Sequence, residues 1–169
     1  MGIKSYIVNF LKFLKHGGVK YVSVTFTNPD ARYTNKKVFI SGGSEGLGRA
    51  MAKAYLAEGA EVIVTGRSKE KLSNFQLSES NAKLHTLVWD ALDFDSYKQK
   101  FDEAVSMMGR IDIFVNNVGG GMSKYEPWNA YTAEVLDRTY DINTKSMFLM
   151  CQMEGLYMIA VSYTHLRAH

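Results

Sequence analysis

An eight-residue turn, Ser41-Gly42-Gly43-Ser44-Glu45-Gly46-Leu47-Gly48, narrows the folds open to this chain more than any other stretch. It follows the apolar run Val38 to Ser41 and leads straight into a segment of helical periodicity that begins near Leu47. A diphosphate needs exposed backbone N–H groups and the positive end of a helix dipole close to it. Gly42, Gly46 and Gly48 remove the side chains that would block that approach. A merely flexible glycine-rich turn would have the same composition, but here strand, turn and helix come in the order that phosphate recognition requires.

The rest of the chain repeats the pattern. Short apolar runs at Val38 to Ser41, Glu61 to Thr65, Leu84 to Trp89 and Ile111 to Asn116 predict four strands. Between and after them, Leu47 to Glu58, Ser68 to Leu77, Asp95 to Met108 and Ala133 to about Tyr157 predict helices. Strands alternating with helices predict βαβ units and a parallel sheet, hence an α/β, doubly wound, Rossmann-like fold. Upstream, Ile3, Ile7, Phe10, Leu11 and Leu14 recur at helical spacing, and Val22, Val24 and Phe26 alternate with polar residues, so residues 1–35 predict a leader of one amphipathic helix and one strand.

At 169 residues one domain is expected, and 46% hydrophobic against 22% charged residues is enough apolar material for a core, which excludes wholesale disorder. Residues 1–37 hold seven Lys or Arg against one acid, or +6, and the remainder carry 13 positive and 16 negative side chains, or −3. The basic balance therefore belongs to the leader, and nucleic-acid binding by the main domain has no support. The leader helix could rest on an anionic membrane surface, but short amphipathic helices more often pack on their own domain or on a second subunit. Lys4, Lys12 and Lys15 interrupt any apolar span or signal segment there. The single cysteine, Cys151, excludes an intrachain disulfide and a thiolate zinc site, so a reducing, cytoplasmic location is expected. His165 and His169 lie one helical turn apart, but two ligands do not make a metal site, and none is expected.

The glycine spacing, Gly-x-x-x-Gly-x-Gly, resembles that of the short-chain dehydrogenase/reductase family. Three further stretches agree at that family's intervals: Asp90 after the third strand, Asn116-Asn117-Val118-Gly119 after the fourth, and Asp141-Ile142-Asn143 in the following helix. The resemblance covers residues 36 to about 157 and implies a nucleotide-binding domain over 36–158 whose sheet has the strand order 3-2-1-4. It implies that Ser41, Gly42, Ser44, Glu45, Gly46, Leu47 and Gly48 seat the cofactor diphosphate. Asp90 and Ala91 would contact the adenine, Asn117, Val118 and Gly119 would line the cofactor, and Asn116 would support the central strand. Val118 stands where the family usually has alanine. Asn143 matches the active-site asparagine, whose backbone carbonyl holds a water of the proton relay. Gly66 occupies the position of the acid that favours NAD, and Arg67 follows it, so NADP(H) is expected over NAD(H). Glu45 pulls the other way, since many NADP-preferring relatives are basic there.

Carbonyl reduction in this family uses a tyrosine, a lysine one helical turn later, and a serine. The only Tyr-x-x-x-Lys here, Tyr33 and Lys37, precedes the first strand and is on the wrong side of the domain. Tyr163 and Arg167 have the spacing but come too early, and arginine keeps its charge. The resemblance therefore implies that the family's serine, tyrosine and lysine lie beyond a C-terminally truncated chain. Residues 159–169 break the resemblance and resemble translated sequencing-adapter read-through, so a non-native tail is expected there. A chain so truncated should be inactive alone and poorly soluble, with an unpaired sheet edge. The implied activity of the whole protein is NAD(P)(H)-dependent hydride transfer between the nicotinamide and a small carbonyl or alcohol substrate, such as a 3-oxoacyl carrier, a sugar or another alcohol, in a homo-oligomer. The alternative is a non-catalytic nucleotide-binding or sensing protein. Gly119 to Met122 and Tyr125 to Trp128 would line the near side of the substrate pocket.

Overall fold

A computed structural model of the chain describes residues 32–120, 129 and 131–161. The leader helix and strand, residues 121–128, and Tyr163, His165, Arg167 and His169 lie outside the described residues.

Four strands, β1 (Lys37–Ser41), β2 (Glu61–Gly66), β3 (Leu84–Val88) and β4 (Ile113–Asn116), form one sheet in the order β3-β2-β1-β4. All pairs are parallel, with Val38 opposite Val62 and Ile113, and Val64 opposite Thr86. This is the fold class expected from the run pattern and the strand order that the resemblance implies. The helices are α1 (Gly46–Ala57), α2 (Lys69–Glu79), α3 (Tyr97–Met108), α4 (Ala133–Tyr140) and α5 (Ser146–Ala160). A parallel sheet covered on both faces needs strands that are apolar at every position. Val38, Ile40, Val62 and Val64 pack with Ala52 and Leu56 of α1 and Leu72 and Phe75 of α2. Phe39, Ile63 and Leu87, pointing the other way, pack with Tyr97, Phe101, Ala104 and Met108 of α3 and Met150 of α5.

The boundaries differ from the expected ones for local reasons. Ser68 is not the first residue of α2 but its cap, its Oγ accepting from Lys71 N at 3.3 Å. α3 is preceded by a 3₁₀ turn over Phe94–Ser96. β4 starts at Ile113 rather than Ile111, because the Asp112 carboxylate accepts from Lys37 N at 2.9 Å and anchors the chain just before the strand. The long helix expected from Ala133 is interrupted by a π turn over Asp141–Lys145, where the N–H of Ser146 reaches back to Asp141 O. Tyr33 and Lys37 sit at the opposite end of the sheet from the glycine turn: Tyr33 packs edge-on against Tyr55, and Lys37 pairs with Glu61 at 3.2 Å.

Candidate functional site

The C-terminal ends of β1 to β4 open into a cleft of about 480 Å³. In an open parallel sheet this is where ligands bind, at the point where the strand order reverses. Here β1 lies between β2 on one side and β4 on the other, so the chain leaving β1 enters that reversal.

Two side chains and the absence of a third tie the β1–α1 turn to the chain leaving β4. The Ser41 Oγ, buried at the end of β1, accepts from the backbone N–H groups of Asn117 at 3.1 Å and Val118 at 3.3 Å. The Asn117 amide donates to Gly42 O at 2.9 Å. Gly48, in the first turn of α1, approaches so closely that a Cβ there would lie 2.3 Å from Gly42 O and 2.6 Å from Asn117 Nδ2. Gly42 itself takes φ +68°, which favours glycine. Glu45 precedes α1 with extended backbone but makes no cap bond to the helix, and the first turn of α1 contains no acid. The N–H groups and the positive end of that helix are therefore not compensated by α1's own side chains, as an anion-binding terminus requires. These observations fit a dinucleotide diphosphate at the start of α1, where Gly42, Ser44 and Glu45 line the cleft and Gly48 lets the helix pack against the turn.

Of the residues singled out from sequence, Gly42, Ser44, Glu45, Arg67, Asp90, Ala91, Asn117, Val118 and Gly119 line the cleft. Ser41, Gly46, Leu47 and Gly48 do not line it. Ser41 and Gly48 act from beneath, Gly46 supplies a left-handed bend at φ +58°, and Leu47 is an exposed apolar side chain, 70% accessible, at the helix start. Asp90 closes its own turn, its Oδ1 accepting from Leu92 N at 3.0 Å. The neighbouring Ala91 carbonyl accepts from the Tyr97 hydroxyl at 2.6 Å. Burial pushes that hydroxyl up to about 12, so it stays a donor.

Asn143 falls in the π turn, a local widening often found at functional sites. Its side chain is fully committed. Nδ2 donates to Gly120 O at 2.7 Å and Thr139 O at 2.8 Å, and Oδ1 accepts from Gly120 N at 3.1 Å. That fastens the loop after β4 to the helix carrying Asn143. Asn116 turns away from the cleft and donates to the buried Glu154 Oε2 at 2.7 Å. Burial raises the Glu154 carboxyl above the usual range, and its other oxygen has no partner among the described residues.

Several lining residues were not singled out from sequence. Ser68 is the immediate neighbour of Arg67, whereas Gly66, singled out at the acid position, lines the cleft as well. Thr139 lies one helical turn before Asn143, Arg138 precedes it, and Ile142 adjoins Asn143. Lys71 lies in the first turn of α2, and its Nζ bonds both Glu45 oxygens, at 2.8 and 2.7 Å. Among the described residues no group of three or more His, Cys, Asp or Glu could hold a metal ion, and no helix is long and apolar enough to cross a membrane.

Comparisons with known proteins point one way. The family model described as short chain dehydrogenase matches residues 36–164. The 7alpha-hydroxysteroid dehydrogenase of Bacteroides fragilis is 31% identical over 124 residues, covering 72% of this chain and 46% of that protein. The levodione reductase of Leifsonia aquatica is 35% identical over 127 residues, covering 73% and 47%. The crystal structure of a short chain dehydrogenase from Bacillus anthracis superposes with a TM-score of 0.68 at 31% identity, covering 74% of this chain and 50% of that one. The chain spans about half the length of the curated relatives it matches.

Proposed function

This chain belongs to the short chain dehydrogenase family, and on that premise we propose that it is the nucleotide-binding part of an NADP(H)-dependent oxidoreductase acting on a small carbonyl or alcohol compound. The observation that carries the reading is the three-way closure of Gly42, Gly48 and Asn117, which sets an uncompensated helix start next to the cleft wall formed by Gly42, Ser44 and Glu45. When bound, the nicotinamide supplies or accepts the hydride. The chain's own residues bind and orient. The turn from Ser44 to Gly48 seats the diphosphate, Asp90 and Ala91 bound the adenine end, and Arg67 meets the 2′-phosphate with a guanidinium that no described side chain holds in place. Asn143, by fastening Gly120, holds the loop on the nicotinamide side. The hydroxysteroid dehydrogenase and levodione reductase among its relatives support an alcohol or ketone substrate class for the whole protein.

Neither a tyrosine nor a lysine with the family's acid–base spacing faces the cleft among the described residues; the one such pair, Tyr33 and Lys37, lies at the far end of the sheet. Turnover by the 169-residue chain is therefore not expected, and NADPH oxidation with a diketone substrate would refute that. Exposed Phe148, Leu156 and Ile159 on α5 support a whole protein that covers this face, in keeping with a homo-oligomer. The central test is a titration of Trp fluorescence with NADPH and NADH. Tighter NADPH binding that Arg67→Ala reduces to the NADH level supports the reading; equal affinities unaffected by Arg67→Ala refute the cofactor preference.

A further inference from the structure

Three charged side chains from three elements line the cleft, and two of them meet. Glu45 comes from the β1–α1 turn, Arg67 from the end of β2, and Lys71 from the first turn of α2. Glu45 occupies the cap position of α1, where a short polar side chain would ordinarily bond back to the helix. It makes no such bond. Its carboxylate reaches across the cleft mouth instead, and both oxygens are taken by Lys71 Nζ, at 2.8 and 2.7 Å. Lys71 is equally out of place, because a cation in a helix's first turn opposes the helix dipole. Each end of this ion pair thus forgoes the interaction its own helix would favour. Arg67 lines the same cleft and has no hydrogen bond or ion pair with any described residue.

We infer that Glu45 and Lys71 form a latch that sets the discrimination between 2′-phosphorylated and unphosphorylated dinucleotides, with Glu45 standing in for the 2′-phosphate until one arrives. The inference rests on the NADP(H) reading above. Without the phosphate, Lys71 is held by Glu45 across the mouth. A 2′-phosphate docked on Arg67 carries close to two negative charges against the carboxylate's one, and takes Lys71 over. The exchange is feasible because both partners are on the surface, with side chains 52% and 66% accessible, and exposed pairs are weakly held. A plain ribose offers no anion to compete, so the latch stays shut against it at little cost to either partner. Glu45, which on residue type alone argues against NADP(H), thereby becomes compatible with it: its charge is neutralised by a lysine that the sequence places 26 positions away.

The test measures dissociation constants of the full chain for NADPH and NADH by fluorescence at low salt, for wild type, Glu45→Gln, Lys71→Met, the double variant and Arg67→Ala. Circular dichroism confirms the fold of each, since neither latch residue is in the core. Glu45→Gln should tighten NADPH about two- to fivefold, the range expected for releasing one exposed ion pair, and leave NADH unchanged. Lys71→Met should weaken NADPH about five- to tenfold, the scale of one partly exposed charge-assisted hydrogen bond. The double variant should match Lys71→Met alone, because Glu45 acts through Lys71. If Glu45→Gln tightens NADPH equally in the Lys71→Met background, Glu45 merely repels phosphate and the latch is refuted. If wild type prefers NADPH and loses that preference with Arg67→Ala, while neither latch variant changes either constant, the latch fails and the NADP(H) reading stands. If neither nucleotide binds, or both bind alike in wild type and in Arg67→Ala, the reading beneath it fails.

Discussion

Gly48→Ala separates local helix preference from the geometry of the cleft, because the two predict opposite signs. Gly48 is a helical residue in the first turn of α1. By propensity alone, alanine there should stabilise the chain by ~0.5–1 kcal/mol. The structure predicts the reverse. A Cβ would stand 2.3 Å from the Gly42 carbonyl oxygen, 2.6 Å from Asn117 Nδ2 and 3.0 Å from Gly42 C, where ordinary contact begins near 3.4 Å. Two of these atoms are backbone, so relief requires α1 to move away from β1 by about an ångström. Overpacking of this kind costs ~1–3 kcal/mol. The movement also strains the Asn117–Gly42 hydrogen bond of 2.9 Å, whose loss adds ~0.5–1.5 kcal/mol. Less the propensity gain, the net is a destabilisation of about 2 kcal/mol, read from urea unfolding followed by Trp fluorescence. Gly46→Ala is the control. At φ +58° with nothing within 4 Å of its Cβ, it carries only left-handed strain of ~1–2 kcal/mol and leaves Gly42 and Asn117 in place. Gly48→Ala should therefore lose nucleotide binding while Gly46→Ala, at a similar stability, retains most of it. A Gly48→Ala protein as stable as wild type, with its nucleotide affinity intact, would refute the account of the cleft.

Three further predictions concern groups beneath the cleft. Burial raises the Glu154 carboxyl, so the folded chain holds that proton more tightly than the unfolded one. This contribution is full below the ordinary carboxylate value of 4.5 and is lost as pH rises through the folded value, so Glu154→Gln should raise the urea midpoint at pH 7 and leave it nearly unchanged at pH 4. An equal shift at both pH values would count against it. Tyr97→Phe removes the 2.6 Å donor to Ala91 O and should cost ~1–2 kcal/mol at pH 7. Because the hydroxyl is held near 12 in the folded chain against an ordinary 10, wild type should lose more stability than Tyr97→Phe between pH 10 and 12, and parallel losses would contradict that. Asn143→Ala removes both bonds to Gly120, so the Gly120 amide should exchange hydrogen with solvent much faster, as NMR would detect. Unchanged protection would remove Asn143 from its fastening role.

How far such residues can be foreseen depends on whether their partners are near in the chain or far from it. β1 and β2 are legible as apolar runs because both faces of a central parallel strand are covered, and Val38, Phe39 and Ile40 each have somewhere to go. The glycine turn is legible because its strand and helix are adjacent in sequence. The π turn at Asp141–Lys145 leaves no such mark: Ile142 is the one apolar residue of its five, so there is no local apolar stripe whose phase could show the extra residue. Asn143 is recognisable as a residue, but its partners are backbone atoms of Gly120, 23 positions earlier, and backbone atoms carry no residue-type signal. Glu45 and Lys71 show the same limit with opposite consequence. Taken singly, Glu45 reads as an acid in an anion-binding turn and Lys71 as a solvated helix charge. Only the parallel pairing of β1 with β2, which brings the end of one strand beside the helix that follows the other, makes them a pair. The charge of a cleft assembled from several βα junctions is thus set by which junctions the sheet makes neighbours, and a residue's sign alone does not determine the ligand it admits.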